Sequence, residues 1–122
     1  MKRDMDLVRK LLLSIEASDQ PHVSLMLDSV EGYSYDMVYY HLNLMEQGNL
    51  LGKIDLVDGE ALILGMSWAG HDFLDAARSD TNWDKAKQAT KSAGGWTFDL
   101  FKQVLVSIAS QTISKSLGLP PG

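Results

Sequence analysis

The sequence predicts a mainly α protein that carries one small β-hairpin and closes with helices appended at its C-terminus. Three observations carry this expectation. Apolar residues recur at helical spacing in five stretches. Asp58-Gly59 joins two β-prone runs, which is a strong short-range hairpin signal. A chain of 122 residues that is 45% hydrophobic and 22% charged can bury a core without staples, and it has no cysteine to make one.

The first helix starts at Asp4, whose carboxylate is placed to cap it, and Met5, Val8, Leu11, Leu12 and Ile15 form its apolar face. It ends near Ala17, because Pro21 pushes the residue before it out of the helical region. Residues 22–27 read as a short extended stretch and Glu31-Gly32 as a turn. Ser34 caps a second helix that runs to Gln47 and stops at Gly48-Asn49. Its apolar face is centred on Val38, Leu42 and Met45, with Met37, His41 and Leu44 at the edges. Residues 50–57 and 61–66 are the strands of the hairpin. Ser67 caps a third helix, with Phe73, Leu74 and Ala77 inward, that ends around Ser79. Asp80 or Thr81 caps a fourth, through Trp83 to Ala93, where Gly94-Gly95 stop it and residues 92–95 form a candidate hinge. Thr97 opens a last helix to about Leu117, followed by Gly118, Pro120 and Pro121.

Charge is distributed unevenly. The net charge is −5, but residues 11–77 hold eleven acidic side chains against one basic one, Lys53, and the two ends are mildly basic. Absence of cysteine excludes thiolate metal sites and a cysteine nucleophile. The N-terminus runs into a charged amphipathic segment rather than an uninterrupted apolar stretch, so a cytoplasmic location is expected, with no membrane contact.

The run from Tyr40 through His41-Leu42-Asn43-Leu44-Met45-Glu46-Gln47-Gly48-Asn49 to Leu50, then a hairpin, then a helix opening Ser67-Trp68-Ala69-Gly70, resembles the winged helix-turn-helix pattern of bacterial and phage proteins. A second resemblance covers nearly the whole chain and is to an uncharacterised bacterial and prophage family, a domain of unknown function. It rests on the opening Met1-Lys2-Arg3-Asp4-Met5-Asp6-Leu7, on Gly32-Tyr33-Ser34, on His41-Leu42, on Gly70-His71-Asp72-Phe73-Leu74-Asp75-Ala76-Ala77-Arg78, and on Trp83 with the lysine-bearing helix up to Gly94-Gly95. The resemblance implies a winged helix-turn-helix core over residues 1–79, with residues 80–122 as a helical extension packed on it or used for dimerisation. It implies no mechanism.

Opposite the apolar face of the second helix stand Asp36, Tyr39, Tyr40, Asn43, Glu46 and Gln47, and the hairpin adds Lys53 and Asp58. DNA binding rests largely on lysine and arginine neutralising phosphates, and this face has no base beyond Lys53. A solvated polar face and a binding face both fit the pattern. Among binding roles, the tyrosine pair and the amides suit a protein partner, since tyrosine buries a large ring while its hydroxyl stays satisfied. His71 and Asp75 lie one turn apart but lack a third ligand, so no metal is expected, and His41 reads as a hydrogen-bonded histidine at the core's rim. No phosphate loop, nucleophile elbow or cofactor motif is present, so no enzyme activity and no cofactor are expected.

The last helix is apolar on most sides. Phe98, Phe101, Leu105 and Ile108 make one stripe that can dock on the core. Leu100, Val104, Ile113 and Leu117 spread around a second side, which either lies beneath Trp68, Trp83 and Trp96 or is covered by a second copy. A homodimer is the favoured expectation. The function expected is thus a non-enzymatic acidic module that binds a protein, as a regulator or inhibitor of a host nucleic-acid-binding protein. The alternative is a sequence-specific DNA-binding regulator whose basic ends (Lys2, Arg3, Arg9, Lys10, Lys85, Lys87, Lys91) meet the phosphates, a reading that the charge of the middle disfavours.

Overall fold

A computed structural model describes residues 1–92, 94 and 97–118. The elements follow in the order α1 (Met5–Glu16), β1 (Val23–Met26), α2 (Tyr35–Gln47), β2 (Ile54–Val57), β3 (Glu60–Ile63), α3 (Trp68–Ala77), α4 (Asp80–Ser92) and α5 (Phe98–Ser116). The protein is mainly helical with a small antiparallel sheet, its strands ordered β1-β3-β2. The chain divides into two units, Met1–Asp72 and Phe73–Gly122.

In the first unit the Asp4 carboxylate accepts the N–H of Leu7 at 3.2 Å and so caps α1, as its position before the apolar run requires. The Ser34 hydroxyl does the same for Met37 at the start of α2. Val38, Leu42 and Met45 of α2 are buried, together with Leu7, Leu11 and Leu12 of α1. The hairpin turns through Asp58 (φ 51°) and Gly59 (φ 77°), two successive left-handed residues that match the twist of the flanking strands. The strands are shorter than residues 50–57 and 61–66, for a local reason. Gly65 has φ 79°, which interrupts extended backbone, and Gly52 passes so close to Leu64 that a Cβ there would lie 2.7 Å from its carbonyl oxygen. Hydrogen bonds still continue in register, from the Leu64 N–H to the Lys53 carbonyl and from the Gly52 N–H to the Gly65 carbonyl, each at 2.9 Å, as far as the bridge between Leu51 and Met66. The extended stretch at residues 22–27 forms as β1, held because Val23 pairs with Ile63 and Leu25 with Ala61.

In the second unit the core is aromatic. The Phe73 ring meets Trp83 edge-on at 6.2 Å and Phe98 at 5.3 Å, and Trp83 meets Phe101 edge-on at 5.0 Å. The cap of α4 is neither Asp80 nor Thr81. The Ser79 hydroxyl accepts the N–H of Asn82 at 3.2 Å, which makes Asp80 the first helical residue, where its charge still complements the helix dipole. Gly94 (φ 80°) closes α4 by donating to the Lys91 carbonyl at 3.1 Å, while Ala93 and Gly95 of the expected hinge lie outside the described residues. Thr97 caps α5 through Leu100, as its sequence suggests.

Of the three tryptophans named as one possible cover for α5, Trp83 packs on Phe101 and Trp68 is 85% exposed, while Trp96, like Pro120 and Pro121, lies outside the described residues. Along α5 Phe101 and Leu105 are fully buried and Phe98 and Ile108 are half-buried, so the helix buries one face and not most of its circumference.

One glycine is fixed by space. Gly70 sits over the backbone of Leu50, whose carbonyl accepts the Ser67 N–H at 3.0 Å, so a Cβ at residue 70 would collide with the Leu50 carbonyl oxygen and lie 2.7 Å from Cγ of Met66. Gly70→Ala is therefore expected to destabilise the protein by about 1–3 kcal/mol despite alanine's better helix propensity. Urea denaturation measures this, and an unchanged midpoint would contradict the close approach.

Candidate interaction surface

The placement of α2 starts from a buried histidine. His41, which the sequence puts at the edge of the apolar face, is 0% exposed. Its Nε2 accepts the backbone N–H of Asp4 at 2.8 Å, so Nδ1 carries the hydrogen and donates to the Met37 carbonyl at 2.8 Å. The ring is neutral, fully bonded and structural. The Asp4 carboxylate, besides capping α1, accepts the hydroxyl of Tyr33. Lys10 donates to the Glu31 carbonyl at 3.1 Å and lies 5.9 Å from the centre of the Tyr33 ring. The short motifs around Tyr33 and His41 thus meet the one around Asp4, which lies 37 positions from His41 in the chain.

With its buried side fixed, α2 exposes two rows of side chains one helical turn apart. Tyr35, Tyr39 and Asn43 form one row, and Asp36 and Tyr40 begin the other, which Gln47 ends. Tyr35 reaches the hairpin turn, since a Cβ on Gly59 would lie 3.7 Å from its ring. At the other end of the helix Glu46 accepts the Ile54 N–H at 3.1 Å, which fastens the base of β2 to α2. The Asn43 amide donates to the Tyr39 carbonyl at 3.1 Å. Tyr39, Tyr40, Asp36, Glu46, Gln47, Lys53 and Asp58 are exposed and Asn43 is half-buried.

These residues line one helix and one strand but not a single spot. Lys53 and Asp58 flank β2 at its two ends, roughly 16 Å apart at about 3.3 Å per residue. The Lys53 ammonium is 3.8 Å from Asp55, so the hairpin's base is engaged by one of its own acids. Sequence reasoning missed Tyr35 because it is the first helical residue. Its spacing of four from Tyr39 was the available signal.

On α5, Leu100 and Val104 stand one turn apart on one flank of the buried stripe, and Ile113 and Leu117 one turn apart on the other, by 100° per residue. The four do not share one surface. Ile113 and Leu117 are 60% and 67% exposed and continue a line from exposed Val106, whereas Val104 is half-buried.

Residues 2–96 match a family described as hypothetical protein DUF2513. The chain belongs to that family. A Haemophilus influenzae protein described as uncharacterized is 34% identical over 118 residues, which cover 93% of this chain and 100% of the relative. No solved structure matches the chain. The DUF2513 match takes in α1 to α4, with Asp4, Tyr33 and His41, and stops before α5.

Among the described residues of this DUF2513 protein no three His, Asp or Glu side chains come together as a metal site. Asp75 pairs with Arg78 at 2.8 Å, which gives it a partner other than His71. No described helix is long and apolar enough to cross a membrane.

The Tyr33 phenol is raised above its ordinary pKa of 10.0, first by burial, then by the charges of Asp4 and Asp6 and the hydrogen bond to Asp4. Since the folded value lies above the unfolded one, the stability this hydroxyl contributes is full below pH 10.0 and is lost as the pH rises through the folded value. The difference between phenolate absorbance titrations of wild type and Tyr33→Phe should place the Tyr33 midpoint above 10.0, and Asp4→Asn should lower it. A midpoint at or below 10.0 in the wild type would remove the contact from the account.

Proposed function

We propose that this protein is a non-enzymatic winged-helix module of bacterial or phage origin that acts in the cytoplasm by binding a protein, as a regulator or inhibitor of a nucleic-acid-binding partner. The observation that carries the reading is the surface of α2 and the hairpin. Three exposed tyrosines, Tyr35, Tyr39 and Tyr40, stand on a helix and hairpin that also carry Asp36, Glu46, Asp55, Asp58 and Glu60, and Lys53, the basic residue of the hairpin, lies against Asp55. Rings that can bury with their hydroxyls satisfied, set in a field of acids, complement the basic groove of a nucleic-acid-binding protein. The winged-helix part of the reading is supported by the strand order β1-β3-β2 and by the succession of α2, hairpin and α3. Residues 27–34 form turns, so α1 and α2 are joined through β1 and not by the short turn of a simple helix-turn-helix.

The same succession favours the second reading, a DNA-binding regulator in which Asn43 and Gln47 read adenine edges from α2. Titration against labelled random duplex at low salt separates the two. The protein-binding reading expects no micromolar complex, and micromolar binding that weakens steeply with salt would replace it with the DNA reading. Tyr39→Ala combined with Tyr40→Ala should change stability by less than about 0.5 kcal/mol each while abolishing retention of a partner from host lysate.

A homodimer completes the proposal, with a second copy over the exposed line of α5 that holds Ile113 and Leu117. Light scattering coupled to size exclusion should give a mass twice 13.5 kDa for the wild type and 13.5 kDa for Ile113→Glu. A wild type that stays at 13.5 kDa at high micromolar concentration refutes the dimer.

A further inference from the structure

We infer that the free edge of β1 is a strand-addition site, and that its occupant is an extended segment of another polypeptide, with apolar side chains at alternate positions, paired antiparallel with Val23–Met26. β1 is an outer strand of the sheet. Leu27 donates to the Gly59 carbonyl at 3.1 Å, and the register repeats that bonded pairing at Leu25 with Ala61 and at Val23 with Ile63. Ser24 and Met26 therefore aim their backbone groups away from β3, toward the edge. The Met26 carbonyl accepts the N–H of Ser29 at 3.1 Å and its hydroxyl at 2.7 Å, which leaves the N–H and C=O of Ser24 and the N–H of Met26 facing outward. The opposite edge differs, since on β2 the outward N–H of Ile54 goes to Glu46. Val23–Met26 also holds no proline, bulge or charged side chain, the devices that ordinarily blunt an exposed edge.

A groove of about 480 Å³ lies between the end of α1 (Ser14, Ile15, Ser18) and this strand (Val23, Ser24, Leu25). No carboxylate or ammonium lines it, and His22 is its one titratable group. The charges flanking it in sequence are Glu16, Asp19 and Asp28, and the Lys10 ammonium is held by the Glu31 carbonyl. Ser24 and Met26 set their side chains on the outer face of the sheet, which also carries exposed Val57, Leu62 and Leu64 together with Lys53, Asp55 and Glu60. With both signs present around the edge, charge does not select the occupant; the backbone does. Only an extended polypeptide offers N–H and C=O groups that recur every second residue, roughly 6.8 Å apart, to meet those of Ser24 and Met26. In such a strand the residues opposite Val23 and Leu25 point to the inner side, toward Ile15, and must be apolar because the floor there is. A second β1 does not supply them, since its own Val23 and Leu27 are buried in its own core. The strand is short, so three backbone bonds make a modest affinity. β3 and β2 lie between this edge and the Glu46 contact with α2, so the site does not rest on what the α2 face binds.

The probe is a capped hexapeptide of alternating valine and threonine, titrated into the nitrogen-15-labelled full chain while amide hydrogen exchange is followed by nuclear magnetic resonance. It should bind saturably below millimolar concentration and slow exchange at the Ser24 and Met26 amides at least tenfold. N-methylation of the threonines, whose N–H groups face β1 in this pairing, should weaken binding at least tenfold, whereas N-methylation of the valines, whose N–H groups face away, should leave it unchanged. Ser24→Pro removes an outward N–H without touching the ladder to β3, and Ser14→Trp fills the groove from an exposed position on α1. Each should weaken binding at least tenfold, and Ser14→Trp decides the matter if the proline lowers stability. Tyr39→Ala with Tyr40→Ala should bind as the wild type does. No binding, an equal effect of the two N-methylated peptides, or full affinity in Ser14→Trp overturns the inference. So does a tenfold loss in the tyrosine variant, which moves the site to α2, or protection of Ser24 and Met26 that rises with protein concentration in the absence of peptide, which makes a second copy the occupant.

Discussion

The first unit depends on the hydrogen bond from the backbone N–H of Asp4 to the buried Nε2 of His41. The N–H groups at the start of a helix have no partner within it, and a histidine ring taken wholly out of water needs both nitrogens bonded. One contact, 37 positions apart in sequence, helps to meet both needs, with the Met37 carbonyl taking the second nitrogen. It locks the beginning of α1 against the middle of α2, and the Tyr33 hydroxyl on the Asp4 carboxylate ties down the segment that leads into α2. No described buried side-chain polar atom is left without a partner. Because α2 cannot roll about its axis without breaking the His41 bonds, the rows that begin with Tyr35 and Asp36 face outward by consequence.

Acidity in this protein serves more than one purpose. Asp4 caps a helix and Glu46 holds a strand, so their charges are committed to the fold. Asp36, Asp58 and Glu60 lie on the surface of α2 and the hairpin, and they give that region its electrostatic sign. The sheet adds apolar side chains to two such acids on its outer face, and α2 adds tyrosines beside others.

What was legible in the sequence was mostly local. Asp4, Ser34, Ser67 and Thr97 cap their helices because a cap needs only its own side chain and the next three residues. Asp58-Gly59 announced its turn for the same reason, and the apolar row of Val38, Leu42 and Met45 followed from helical period alone. Ser79 was missed as a cap because Asp80 and Thr81 beside it have equally suitable side chains, and only the backbone decides which one precedes the helix. The depth of His41 was not legible, since its partner comes from the other end of the unit. The split of Leu100 and Val104 from Ile113 and Leu117 was legible from helical period and went unused, whereas the half-burial of Val104 was not. At the candidate surface the tyrosines opposite the apolar row could be read off. The hydrogen bond of Glu46 required the docking of the hairpin's base on α2, and the aliphatic cluster on the sheet required the pairing of β1 with β3, distant in sequence.

The bond from Ile54 to Glu46 restricts how this surface can change over evolutionary time. Reversing the charge of the α2 face by drift, one acid to one lysine at a time, would meet little resistance at Asp36, which no other element uses in this way. At residue 46 a lysine has no oxygen to offer the strand, so the hairpin would lose its tether at the moment the surface gained a cation. A lineage could make the helix basic around Glu46, but that one carboxylate would persist in the middle of the new surface as a relic of how the hairpin is hung.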